Sequence, residues 1–237
     1  MSQPFNKIFI IGLPRSGTTS VCVALLEATP KAGRAPLKVA HMAFTKASFE
    51  AADAIADAPV FSDYQKLDKL YPGSKFVYLE RTIDSWLPSM QRLLERMLPK
   101  LDPTAKGAFH PQLRRSFNEV FELHKAFNPP PTFNPPPNSH FNILADAHLS
   151  LCFIRHEQQV DSYFAGRDDL LKLNPAAPGA LAALHRFLDL AELDDDTPFP
   201  HLNQAGRVAG FDEFKHPNKV PAELSGPERR AFFAYGK

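Results

Sequence analysis

The sequence predicts a three-layer α/β/α fold with a central parallel sheet and a helix-rich second half. Three observations point there. Lys7-Ile8-Phe9-Ile10-Ile11 and Lys75-Phe76-Val77-Tyr78-Leu79 are short, continuous runs of β-branched and aromatic residues, the pattern of strands buried on both faces. Each run is followed by a short loop and then by apolar residues at helical spacing. Strands that alternate with helices pair in parallel, because each helix carries the chain back across the sheet.

Taken in order, the first strand leads through a glycine-containing loop to a helix from Thr18 to Ala28, with Val21, Leu25 and Ala28 on one side. A helix is expected over about 47–57, followed by a short strand at Val60-Phe61-Ser62. The turn Tyr71-Pro72-Gly73-Ser74 introduces the second strong strand. After it, Ile83, Trp86, Leu87, Met90, Leu93, Leu94 and Met97 form one helical stripe, with Asp84 as cap and Pro88 early enough to be tolerated. Leu170-Leu171-Lys172-Leu173 is a further strand. Helices are expected over about 110–127, 139–165 and 177–191. The proline-rich stretch 129–137 reads as an extended surface loop.

With 237 residues and 44% hydrophobic content, the chain can bury one substantial core, and residues 1–237 are expected to form a single domain. Formal net charge is +1, which gives no broad attraction to nucleic acid or to an anionic membrane. The apolar run near the start is only six residues, Ile8 to Leu13, too short for a secretory signal or a membrane span. Cys22 and Cys152 stand far apart in no metal-like spacing. They read as buried thiols, and the expected setting is cytoplasmic.

Gly12-Leu13-Pro14-Arg15-Ser16-Gly17-Thr18-Thr19 has the phosphate-loop spacing, between an apolar strand and a helix. Glycines let such a backbone fold into a concave nest of inward N–H groups, and the following helix aims its positive end at the same point. The fold expectation therefore sharpens to a P-loop-type architecture. A nucleotide triphosphatase needs lysine after the second glycine, where this chain has Thr18; positive charge comes from Arg15 instead. Further along, Arg81 lies just past the second strand, where ligands of open parallel sheets collect. Ser89 follows eight residues later, with Ser85 one turn before it. An arginine fork with a hydroxyl suits a second phosphate.

At these residues the chain resembles the sulfotransferase superfamily, whose donor is 3′-phosphoadenosine 5′-phosphosulfate. Gly12 to Thr19 fits the family's loop G-x-P-[KR]-[ST]-G-T-[ST], and the strand ending in Arg81 followed by Ser89 fits its second signature. Tyr71-Pro72-Gly73-Ser74-Lys75, Asp84-Ser85-Trp86 and Pro198-Phe199-Pro200-His201-Leu202-Asn203 are also similar. The resemblance implies that Pro14, Arg15, Ser16, Gly17, Thr18 and Thr19 surround the 5′-phosphosulfate and that Arg81 and Ser89 bind the 3′-phosphate. It implies no metal and a small-molecule or glycan acceptor; a monomer or homodimer is expected on general grounds. Arg15 would act on the leaving group electrostatically, because a guanidinium does not readily give up its proton. The general base is open between Asp63, expected at the end of the short strand 60–62, and His41, after Leu37-Lys38-Val39-Ala40. His110, His140, His148 and His156 are bland helical residues on this reading, and Gly206-Arg207 and 215–219 match no motif. A P-loop kinase, another phosphate-handling enzyme, or a nucleotide-binding protein without transfer activity are the alternatives.

Overall fold

A computed structural model describes residues 5–127, 142–200, 202–204, 207–208 and 210–224. The proline-rich stretch 129–137, His140, His201 and Gly206 lie outside the described residues. The chain divides into two compact units, one formed by residues 1–80 with 166–237 and the other by 81–165.

The first unit carries a five-stranded parallel sheet of β1 (Ile8–Ile10), β2 (Val39–Ala40), β3 (Ala54–Ala56), β4 (Lys75–Leu79) and β5 (Leu170–Leu173), in the order β2-β3-β1-β4-β5. Ile10 pairs with Ala56 on one side and Val77 on the other. The chain leaves β1 for β2 and returns through β3, then crosses to β4 on the opposite flank. The carboxyl end of β1 is thus the reversal point where open α/β sheets bind ligands.

Alternation along the strands divides the core. Ile8, Ile10, Val39, Ala54, Ala56, Val77, Leu79 and Leu173 face one side, with α1 (Thr18–Glu27) and α8 (Ala180–Phe187) packed on them. Phe9 and Phe76 point the other way, 5.5 Å apart, and Phe9 meets Tyr71 just beyond α3 (Val60–Leu70). Helices therefore cover both faces. A short α2 (Lys46–Ala51) is capped by the Thr45 hydroxyl, which accepts from Ser48 N.

The structure corrects one stretch of the sequence reading. Val60-Phe61-Ser62 is not a strand; it opens α3, and the strand is Ala54-Ile55-Ala56. The helix expected over about 47–57 stops at Ala51. Alanine favours helix intrinsically, yet Ala54 and Ala56 are fully buried in the core that α1 shares. Packing overrides propensity here.

The second unit is helical: α4 (Ile83–Leu101), α5 (Pro111–Phe121), the short α6 (His124–Phe127) and α7 (Asp146–Tyr163). Trp86 is fully buried, 4.9 Å from Phe153 and 6.4 Å from Phe121. Glu122, with φ 53°, ends α5, so the helix expected over about 110–127 is broken there. The one expected over 139–165 is found from Asp146 to Tyr163. After β5 and α8, residues 218–224 of the first unit run beside β2: Val39 N donates to Asn218 O and Val220 N to Val39 O. No helix among the described residues is long and apolar enough to cross a membrane.

Ala56→Leu tests the packing account. Overpacking between the sheet and α1 is expected to cost about 1–3 kcal/mol, read from the urea midpoint; a variant as stable as wild type would show slack beneath the helix.

Candidate active site

The loop between β1 and α1 is shaped by close approach and by two positive backbone angles. A Cβ on Gly12 would come within 2.7 Å of Leu79 Cβ on β4 and 2.7 Å of Ser16 Oγ, so only glycine fits where the loop crosses its neighbouring strand. The Leu13 carbonyl accepts from Ser16 N at 3.2 Å and from Ser16 Oγ at 2.6 Å. The Ser16 hydroxyl is therefore spent on the loop itself. Arg15 has φ 73° and Gly17 φ 106°; left-handed residues on either side of Ser16 are the alternation that turns successive N–H groups into an anion nest. An arginine held left-handed is costly, and such strain concentrates at functional positions.

Gly17 is the N-cap of α1, with no side-chain cap and no acidic residue in the first turn. The positive end of the helix is thus left for a ligand. Pro14, Ser16 and Thr18 are buried, and Arg15, Gly17 and Thr19 are half-buried.

The hydroxyls of Thr18 and Thr19 converge on one imidazole. His41, just after β2, places Nε2 3.2 Å from Thr18 Oγ1 and 3.2 Å from Thr19 Oγ1. Its ring stacks on Phe211 with centroids 5.4 Å apart. Asp57 Oδ2 lies 3.8 Å from the same Nε2, and the two side chains are 14% and 16% exposed. Asp57 itself adopts φ 57° directly after β3, and its Oδ1 accepts from Ala58 N at 2.8 Å. Burial lowers the His41 pKa below its usual value; Asp57 and Asp212 pull it back up and Lys219 pushes it further down. Burial raises the Asp57 carboxyl, against His41, the Ala58 amide and Arg15.

Asp63 is elsewhere. It sits in the first turn of α3 with a fully buried side chain, 3.4 Å from Lys66 Nζ, and not at the end of a strand. The carboxylate that directly follows β3 is Asp57, six residues earlier. Sequence reasoning missed it because β3 was read as helix; the signal was Asp57-Ala58-Pro59, a turn after an apolar triplet. Phe211 was also missed, since nothing in the sequence joins residues 211 and 41.

In the second unit, Arg81 folds onto the start of α4. Its Nε donates to Ser85 Oγ at 3.1 Å and a terminal nitrogen donates to Ser85 O at 2.9 Å. Ser89, one turn beyond Ser85 on the same face, is 5% exposed. Glu80, just before Arg81, pairs with Lys172 at 3.9 Å. Lys219 donates to Phe211 O at 2.6 Å and Phe214 O at 3.2 Å, so this C-terminal cation braces its own segment. His148 lies against Phe121 O, and Cys22 and Cys152 are buried and not disulfide-bonded. Among the described residues, no group of three His, Cys, Asp or Glu side chains is placed to hold a metal ion.

The His41 environment has a thermodynamic consequence. A buried neutral imidazole resists protonation while the unfolded chain takes up a proton below about pH 6.5. His41 therefore supports stability above that pH, and the support is lost as pH falls toward its depressed folded value. Wild type should lose stability between pH 7 and 5 more steeply than His41→Gln, by up to about 1.4 kcal/mol per pH unit. Parallel urea curves across that range would refute the buried neutral state.

No curated protein matches the chain. A family model described as a sulfotransferase domain matches residues 26–208, more than half of the 237. The match takes in His41, Asp57, Arg81 and Ser89 and begins after the glycine loop. With its parallel α/β sheet and this match, the chain belongs to the sulfotransferase domain family.

Proposed function

We propose that the protein moves a sulfuryl group from 3′-phosphoadenosine 5′-phosphosulfate to a hydroxyl or amine of a small-molecule or glycan acceptor. The observation that carries this reading is the anion nest at the carboxyl end of β1. It combines a left-handed Arg15 and an α1 N-terminus without a side-chain cap with threonine where a triphosphatase has lysine. Sulfuryl transfer needs in-line attack and neutralisation of charge on the departing phosphate, and both are met by positioning and electrostatics.

On this reading Pro14, Arg15, Ser16, Gly17, Thr18 and Thr19 enclose the 5′-phosphosulfate. Arg15 follows the charge that builds on the bridging oxygen as the S–O bond breaks. Arg81 and Ser89 take the 3′-phosphate, an assignment that rests on the sequence pattern. His41 is the general base in preference to Asp63, since it touches the loop threonines while Asp63 is enclosed within α3. The chemistry calls for no metal, and the site is proposed to operate in the cytoplasm in a monomer or homodimer.

Calorimetric titration with adenosine 3′,5′-bisphosphate, with ATP and Mg²⁺ in parallel, tests the donor. The bisphosphate should bind tightly and ATP much more weakly, and Arg81→Ala should weaken the bisphosphate by about tenfold or more. Preference for ATP with Mg²⁺ would replace the reading with a kinase. Once an acceptor is found, Arg15→Ala should lower kcat by about 10²–10³-fold; an unchanged kcat would remove Arg15 from the chemistry.

A further inference from the structure

The largely buried carboxylate of Asp57 is given no role above, although Arg15 of the donor loop acts on its charge. Its backbone is left-handed, directly after β3. One carboxylate oxygen is fixed by the Ala58 amide, and the other is thereby turned toward His41. At 3.8 Å the carboxylate is a charge partner of the imidazole and not a hydrogen-bond acceptor. Among the described residues, Thr18 and Thr19 from α1 and Phe211, Asp212 and Lys219 from the C-terminal segment also act on His41. Asp212 is 97% exposed, so water screens it. Lys219 opposes protonation of the ring. Asp57 is thus the enclosed anion that favours a protonated imidazole.

We propose that Asp57 is the positioning residue of His41: it holds the ring with a proton on Nε2, facing the loop, and leaves the Nδ1 lone pair to take the acceptor proton. The assignment rests on the sulfotransferase reading. The carboxylate charge beside Nε2 disfavours a lone pair there and favours a proton, and either threonine oxygen can accept from that Nε2–H while its own hydroxyl proton turns toward the donor. In the reaction the acceptor O–H (or N–H) proton passes to Nδ1 as its oxygen or nitrogen bonds to sulfur. The bond from sulfur to the bridging oxygen breaks, and adenosine 3′,5′-bisphosphate leaves with that electron pair. The imidazolium formed lies beside Asp57, whose charge offsets its own in a largely buried setting.

Asp57→Asn is the informative variant. Asparagine tolerates the left-handed backbone and keeps an oxygen for the Ala58 amide, so charge is removed with little change of shape. Long-range ¹H–¹⁵N spectra of ¹⁵N-histidine protein, with His41 assigned by its loss in His41→Gln, report tautomer and titration together. Wild type should show the Nε2–H form. In Asp57→Asn the His41 midpoint should fall by about one pH unit, and the tautomer preference should weaken. Adenosine 3′,5′-bisphosphate should bind both proteins within about twofold. An unmoved midpoint and tautomer would overturn the role of Asp57. A tenfold loss of bisphosphate affinity in the variant would also overturn it, by making Asp57 a support of the donor loop. Failure of wild type to bind the bisphosphate would instead remove the sulfotransferase donor reading, and the role with it.

Discussion

Between Gly12 and Leu79 there is no room for a side-chain carbon, since a Cβ would sit 2.7 Å from its neighbour. This close crossing lets the chain leave β1, turn over the edge of β4 and enter α1 within a few residues. Arg15 and Gly17 take the left-handed angles that such a turn demands, and Ser16 ties the turn back to Leu13. The result is a helix whose first turn has neither a side-chain cap nor an acidic residue. An empty cap is a cost in a purely structural loop, because orphan N–H groups want a partner. A bound anion is the partner that suits this arrangement.

Around that helix end the first unit assembles groups from distant parts of the sequence. Thr18 and Thr19 come from α1, His41 from the end of β2, Asp57 from the end of β3, and Phe211 with Lys219 from the C-terminal segment. Parallel topology explains the convergence: the carboxyl ends of adjacent strands open on the same edge, so residues just after them meet. The C-terminal segment reaches the same edge by pairing beside β2, where Val39 exchanges backbone bonds with Asn218 and Val220. Lys219 is then committed to the Phe211 and Phe214 carbonyls and holds the aromatic ring on His41.

Much of this was legible in the sequence, for identifiable reasons. β1, β4 and β5 are runs rich in β-branched, aromatic or leucine residues, and the glycine loop carries its own spacing, so each announces itself locally. β3 does not, because Ala54 and Ala56 are chosen for the space beneath α1 and spell a helix by propensity. That single misreading moved the expected carboxylate from Asp57 to Asp63. The carboxylate that follows β3 is Asp57, six residues before the one the sequence reading placed at a strand end. His41 was legible as a residue type after a strand, but its neighbours were not. Contacts between residues 18, 41, 57 and 211 exist only through the topology, and no local pattern encodes them.

The central claim is that the nest from Gly12 to Thr19 holds the donor's 5′ end. A crystal structure with adenosine 3′,5′-bisphosphate tests it most directly. The account predicts the 5′-phosphate against the Gly17 to Thr19 amides and the Thr18 hydroxyl, at hydrogen-bond distances of about 2.7–3.2 Å, with the Arg15 guanidinium on the side where sulfur would be attached. A 5′-phosphate bound away from this loop, or a loop that stays empty while the nucleotide occupies another surface, would contradict it.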